Sequence, residues 1–194
     1  MLLFLYGVMN KKMTGNYSFG TYNQQINRTY TWLKSTQNND GGFPAFDKDK
    51  NDDQYKFIKF IFKITRIDKS AEIFDPSCAD IVGHLLEGMG ETKIYDVDVI
   101  NRALEFLYNT RKDGMWSARW GINYIYAVGS VFPGLARVGY NLNQTWLLNV
   151  IKRMQSLQQK DGGFGEDSDS YNVDHYLEGA TTVSMTAWGL LAYL

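Results

Sequence analysis

Several residues able to do chemistry gather in the stretch DPSCADIVGHLLE, Asp75 to Glu87. Asp80 precedes His84 by four residues, so on a helix the two share a face. A carboxylate so placed can orient an imidazole or join its hydrogen-bond network. The plainer reading of a lone helical histidine is a core residue with its hydrogen bonds satisfied. Asp75 stands directly before Pro76, which fits an N-cap followed by a first-turn proline. Cys78, Asp80 and the distant His175 loosely echo a zinc donor set, but one cysteine in this order does not make a zinc site. The couplets Asp47/Asp49, Asp96/Asp98 and Asp167/Asp169 read as solvated polar stretches. In YKFIKFIFKI, Tyr55 to Ile64, Lys56, Lys59 and Lys63 fall at helical spacing among Phe and Ile. Such a basic amphipathic run suits a membrane surface, or equally a solvated helix face with aromatics packed beneath it.

The elements that would position these residues follow from composition and periodicity. A chain of 194 residues that is 44% hydrophobic and 15% aromatic can bury a substantial single core. Its net charge of −1 gives nucleic acid no electrostatic footprint. Cys78 as the single cysteine excludes an intrachain disulfide framework and fits a reducing compartment. No run approaches the ~20 apolar residues of a membrane span. The opening MLLFLYGVMNKK lacks a basic n-region and a small-residue cleavage site, so it reads as a core helix and not a signal peptide.

A phrase repeats along the chain: QNNDGGFPAF from Gln37, RKDGMW from Arg111, and QQKDGGFGED from Gln158. Each copy follows an amphipathic helix, striped by Ile26/Tyr30/Leu33, Ile100/Leu104/Leu107 and Leu147/Ile151/Met154. In each, Asp-Gly offers the positive φ that ends a helix, and an aromatic follows: Phe43, Trp116 or Phe164. The glutamine is expected to tie the helix end and the aromatic to pack back on the bundle. More apolar helices are predicted between them, at Leu2 to Met9, Cys78 to Met89, Ile122 to Val138 and Thr182 to Leu194, with Pro133 as a kink in the third. Alternating amphipathic and buried helices predict an all-α fold of two concentric layers, a decorated αα repeat.

The Gln-x-x-Asp-Gly-Gly-aromatic phrases resemble the QW repeats of the squalene–hopene cyclase family of triterpene cyclases. DPSCADIVGHLLE is similar to that family's Asp-Pro-(Ser)-x-x-Asp-(Val/Leu)-Thr-(Ala/Gly)-(His/Arg)-x-Leu-Glu segment. DGMWSARWGINYIYAVG, Asp113 to Gly129, is similar to its Asp-Gly-Ser-Trp-x-Gly-Arg-Trp-Gly-x-Asn-Tyr-(Ile/Leu)-Tyr-Gly segment. The wording DGGFPAFDK leans towards bacillus-type members that make sporulenol-like products. The resemblance covers residues 1–194 as one partial αα-toroid ((α/α)6-barrel type) domain, truncated at both ends, with inner buried and outer amphipathic helices.

The resemblance implies an isomerase that protonates a terminal alkene of squalene or a related sesquarterpene precursor and lets it cyclise through carbocations. It implies no metal or other cofactor. His84 matches the family's helper of the acid, with Asp80 and Asp75 as further catalytic candidates. Trp120, Tyr126 and Phe46 match residues lining the substrate cavity, where aromatic faces stabilise cations without trapping them. Many relatives have Tyr where Phe46 stands. The family's Asp-x-Asp-Asp acid is expected to fall before Met1, so this chain alone is expected to be inactive and to need a complementary chain or to self-associate. Family members are monotopic, so a cytoplasmic, peripherally membrane-bound protein is expected, touching the membrane through residues 55–64. Two alternatives are a protein prenyltransferase β-subunit-like zinc protein using Cys78, Asp80 and His175, and a non-catalytic αα-toroid binding protein.

Overall fold

A computed structural model describes residues 23–46, 48, 60, 61, 64, 75–173 and 175–193. The described residues form α1 (Asn23–Ser35), α2 (Ala79–Thr92), α3 (Val97–Asn109), α4 (Tyr124–Arg137), α5 (Thr145–Leu157), a 3-10 turn (Ser168–Tyr171) and α6 (Val183–Leu191). They contain no strand, only isolated bridges joining Lys112 to Met115 and Glu166 to Glu178. The all-α expectation therefore holds for this part of the chain. The predicted helix Leu2 to Met9 lies outside the described residues.

The helices differ in how much of their surface they bury, as their sequences dictate. α3 buries one stripe, Val99, Ala103, Phe106 and Leu107. That stripe is rotated from the expected one, leaving Ile100 and Leu104 half-buried at its edge. α5 buries Leu147, Val150, Met154 and Leu157, with Ile151 half-buried. On α1 only Ile26 is buried, and Tyr30 and Leu33 pack at the margin of the core. α4 is buried on nearly every side and runs unbroken through Pro133.

α4 packs against both α2 and α6. Small residues set these contacts, because backbone meets backbone. A Cβ on Gly83 of α2 would stand 2.4 Å from the Ser130 carbonyl oxygen of α4, and one on Gly134 would stand 2.3 Å from the Gly83 carbonyl oxygen. Gly129 makes the equivalent approach to the Trp188 carbonyl of α6. The glycines let α4 lie closer to its neighbours than any side chain would permit.

The repeated phrase forms the same turn in its first and third copies. Gln37 Nε2 donates to the Gly41 carbonyl at 2.9 Å, and Gln158 Nε2 to that of Gly162 at 2.7 Å. Asp40 and Asp161 each accept from the amide two residues on, Gly42 or Gly163, both at 2.9 Å. Gly41 and Gly162 have φ of 89° and 86°. The middle copy is a tighter turn in which Asp113 (φ 49°) and Gly114 (φ 76°) are both left-handed. Its aromatic still packs back, with Trp116 Nε1 donating to the Leu107 carbonyl at the end of α3, 2.7 Å. One detail differs from expectation. α1, α3 and α5 end several residues before Asp-Gly, so that dipeptide turns the following loop and does not itself end the helix.

Candidate functional site

The residues singled out from the sequence gather around the first turns of α2 and α4 and the loop that precedes α4. Asp75 is not an N-cap: α2 starts four residues later, at Ala79, with Cys78 in the cap position and no side-chain cap bond. The Asp75 carboxylate instead accepts from the backbone amides of Ala45, at 3.2 Å, and Phe46. Arg119 Nη1 lies 3.5 Å from Asp75 Oδ1. The clamp holds the Phe46 ring edge-on to Trp120, with centroids 5.6 Å apart. The Arg119 guanidinium sits 5.7 Å from the centre of the Trp120 ring. Phe46 and Trp120 remain 64% and 56% exposed, so they are not spent on the core.

Asp80 is fully buried, and both its carboxylate oxygens accept from the Arg119 amide, at 3.4 Å. Burial pushes its carboxyl above the usual carboxylate range, opposed by the amides of Arg119 and Trp120. Asp80 thus ties α2 to the Trp120 loop, and no bond joins it to His84. The shared helix face placed the two residues near one another, but the tertiary partner of the carboxylate is the loop backbone.

His84 is exposed, and its Nε2 lies 3.1 Å from the Tyr126 hydroxyl and 3.5 Å from Ser130 Oγ, both on α4. On its other side Nδ1 is 3.9 Å from Glu87 Oε2. Tyr126 packs edge-on against Trp188 of α6, centroids 4.8 Å apart. Burial, and then the Asp80 charge, raise the Tyr126 phenol. Gly121 lies flat on the Tyr126 ring: a Cβ there would come within 2.3 Å of its carbons. Contacts therefore run unbroken from Phe46 through Trp120 and its loop to Tyr126, Trp188 and His84.

Sequence reasoning missed Trp188, Arg119 and Ser130. Arg119 and Ser130 lie in or beside a motif that was read for its aromatics, and Trp188 is hidden in an apolar helix without a phrase of its own. Asp96 and Asp167 prove to be caps, accepting from Val99 N at 3.3 Å and Asp169 N at 2.9 Å. Asp47 and Asp49 lie outside the described residues. The Cys78 thiol donates to the Pro76 carbonyl, 3.1 Å, and burial pushes it up to about 12. Among the described residues no three His, Cys, Asp or Glu side chains converge as metal ligands. Of the basic amphipathic run only Phe60, Ile61 and Ile64 are described, all exposed; Lys56, Lys59 and Lys63 lie outside the described residues. No described helix is long and apolar enough to cross a membrane.

The described residues thus form an all-helical domain that presents half-exposed aromatic rings near a histidine. Residues 8–194 match the squalene-hopene cyclase C-terminal domain, and the chain belongs to that family of triterpene cyclases. It is 50% identical over 178 residues to the squalene-tetrahymanol cyclase of Tetrahymena thermophila. It is 34% identical over 172 residues to the squalene–hopene cyclase of Alicyclobacillus acidocaldarius, and 32% over 173 residues to the sporulenol synthase of Bacillus subtilis. These matches cover 89%, 87% and 86% of this chain but 27%, 26% and 26% of the relatives, so the chain spans about a quarter of their length.

Proposed function

We propose that this chain is a catalytic-domain segment of a triterpene cyclase, one partial αα-toroid in which α2, α4 and α6 form the inner wall and α1, α3 and α5 the outer. Phe46, Trp120 and Tyr126 line part of the cavity that holds the polyprene, with Trp188 behind Tyr126. The single observation that carries this reading is the pair of partly open ring groups, Phe46 with Trp120 and Tyr126 with Trp188 and His84, joined through Gly121. Aromatic faces each stabilise a nearby cation by roughly 0.5–2 kcal/mol, and they offer no lone pair to quench it. Squalene is the substrate best supported, because the relative sharing 50% identity is a squalene-tetrahymanol cyclase.

In this reaction a carboxylic acid adds a proton to a terminal alkene, ring bonds form as π pairs attack successive cations, and the last cation is discharged by losing a proton or by adding water, which then loses a proton. In the family the acid belongs to an Asp-x-Asp-Asp segment. In this reading His84 hydrogen-bonds that acid and stabilises the carboxylate left after proton transfer, while its Nε2 meets the Tyr126 hydroxyl. Asp80 and Asp75 hold the backbone that carries Trp120 and Phe46.

Photo-crosslinking tests the cavity. Purified protein in mild detergent is irradiated with a diazirine-bearing squalene. Label is expected in the peptides carrying Phe46, Trp120 and Tyr126, and it should be competed away by unlabelled squalene. Label confined to other peptides would overturn the assignment.

A further inference from the structure

The acid that seats α4 lies in the third repeated phrase, more than 40 residues along the chain from the start of that helix. We infer that Glu166 is a positioning residue for the aromatic residues of the site: its buried carboxylate, bonded to the amides that open α4, fixes the loop that presents Trp120. This inference rests on the reading of Trp120 and Tyr126 as cavity residues.

Glu166 is 4% exposed. Its Oε2 accepts from the amides of Asn123 at 2.9 Å, Tyr124 at 3.0 Å and Ile125 at 3.1 Å. Its Oε1 accepts from Tyr124 N at 3.0 Å and from Ser170 Oγ at 2.6 Å. These are the orphan amides of a helix N-terminus, where the helix dipole also favours an anion. Burying a carboxylate is costly unless it is so compensated, and a local cap was at hand: Asn123 occupies the N-cap position and belongs to a preferred cap type. Its side chain makes no cap bond. It reaches back, Oδ1 accepting from Ala118 N at 2.8 Å and Nδ2 donating to the Ser170 carbonyl at 3.2 Å.

The consequence is a division of labour. Because Glu166 satisfies the helix end from outside, Asn123 is free to hold the loop 118–123 closed. Tyr171, next to Ser170, adds a second grip, its hydroxyl donating to the Gly121 carbonyl at 2.6 Å. Trp120 lies between the two gripped ends, and Tyr126 begins one residue beyond the last amide that Glu166 holds. A purely local cap would secure α4 but take Asn123 away from Ala118, leaving the Trp120 loop to Asp80 and Tyr171.

Glu166→Gln tests the carboxylate. An amide has one acceptor oxygen, so its NH2 would face either the α4 amides or another donor. The protein contains five tryptophans, Trp32, Trp116, Trp120, Trp146 and Trp188. Labelling them with 5-fluorotryptophan gives a ligand-free readout by 19F NMR, with Trp120 assigned through Trp120→Phe. In E166Q the Trp120 resonance is expected to shift by more than its line width, while Trp32 and those of the core, Trp116 and Trp146, stay in place. Asn123→Ala, which keeps the carboxylate on its amides but cuts the tie to Ala118, is expected to move the same resonance and decides the matter if E166Q does not fold. Affinity for a linear polyprene bearing a protonated tertiary amine should fall about tenfold in both variants, the size of one aromatic contact. A Trp120 signal unmoved in the folded variants, or all five signals moving together, would overturn the inference. Failure of wild-type protein to bind the amine would instead count against the cavity assignment, since the NMR readout needs no ligand.

Discussion

The contact between α2 and α4 carries His84 on one side and Tyr126 and Ser130 on the other, so Gly83→Ala is the sharpest test of the packing beneath the site. A Cβ at Gly83 would lie 2.4 Å from Ser130 O, 2.6 Å from Ser130 C and 2.8 Å from Val131 N. All three are backbone atoms, so no side chain can swing aside, and the helices must part by about 1 Å to restore van der Waals contact. Overpacking of this kind costs about 1–3 kcal/mol, and a backbone obstacle puts Gly83 at the upper end. Replacing Gly by Ala inside a helix returns about 1 kcal/mol of propensity. The net expectation is a loss of about 2 kcal/mol, or roughly 4–8 °C in Tm for a chain of this size. Thermal melting followed by circular dichroism measures it. Gly139→Ala is the control: φ there is 74° but nothing lies within 4 Å, so only the left-handed backbone is penalised, by about 1 kcal/mol. The parted helices should also lengthen the 3.1 Å contact between His84 and Tyr126 and weaken polyprene crosslinking at Tyr126. A G83A variant that melts at or above wild type would refute the close backbone crossing.

Asp75→Ala is expected to release the amides of Ala45 and Phe46, costing about 1–3 kcal/mol and abolishing the Phe46–Trp120 ring contact, read by urea denaturation and by NOE; an intact ring contact would refute the clamp. Asp96, held by Lys34 Nζ at 2.6 Å, has its carboxyl lowered to about 2. A depressed carboxylate contributes stability that is complete above its unfolded value of ~3.9 and is lost as pH falls through about 2. Lys34→Ala should therefore raise the Asp96 titration midpoint measured by NMR and flatten this acid-side loss, and an unmoved midpoint would refute the pairing. Vesicles with anionic lipid at low salt are expected to sediment the protein, and replacing Lys56, Lys59 and Lys63 by Gln should release it; recovery of wild type in the supernatant would remove the membrane reading of residues 55–64.

Local information went a long way in this chain. The 3.6-residue periodicity placed α1 to α6 to within a few residues, because a helix that must bury a face writes that face into its sequence. The Asp-Gly pairs fixed the left-handed turns at Gly41, Gly114 and Gly162, since few other residues accept that backbone. The family phrases point to His84, Trp120, Tyr126 and Phe46 as candidates. What periodicity could not supply was the partner of each polar group. Asp75 read as a cap because Asp-Pro is a local signal, yet its carboxylate serves amides about 30 residues away. Asp80 shares a face with His84 but bonds the loop before α4. Glu166 looked like the tail of a repeat and instead seats a helix that begins more than 40 residues earlier. Helix identity and turn geometry depend on neighbours along the chain, so the sequence determined them alone. Which buried carboxylate meets which orphan amide, and how closely Gly83 lets α2 approach α4, depend on how the finished helices pack, so only the tertiary structure decided them.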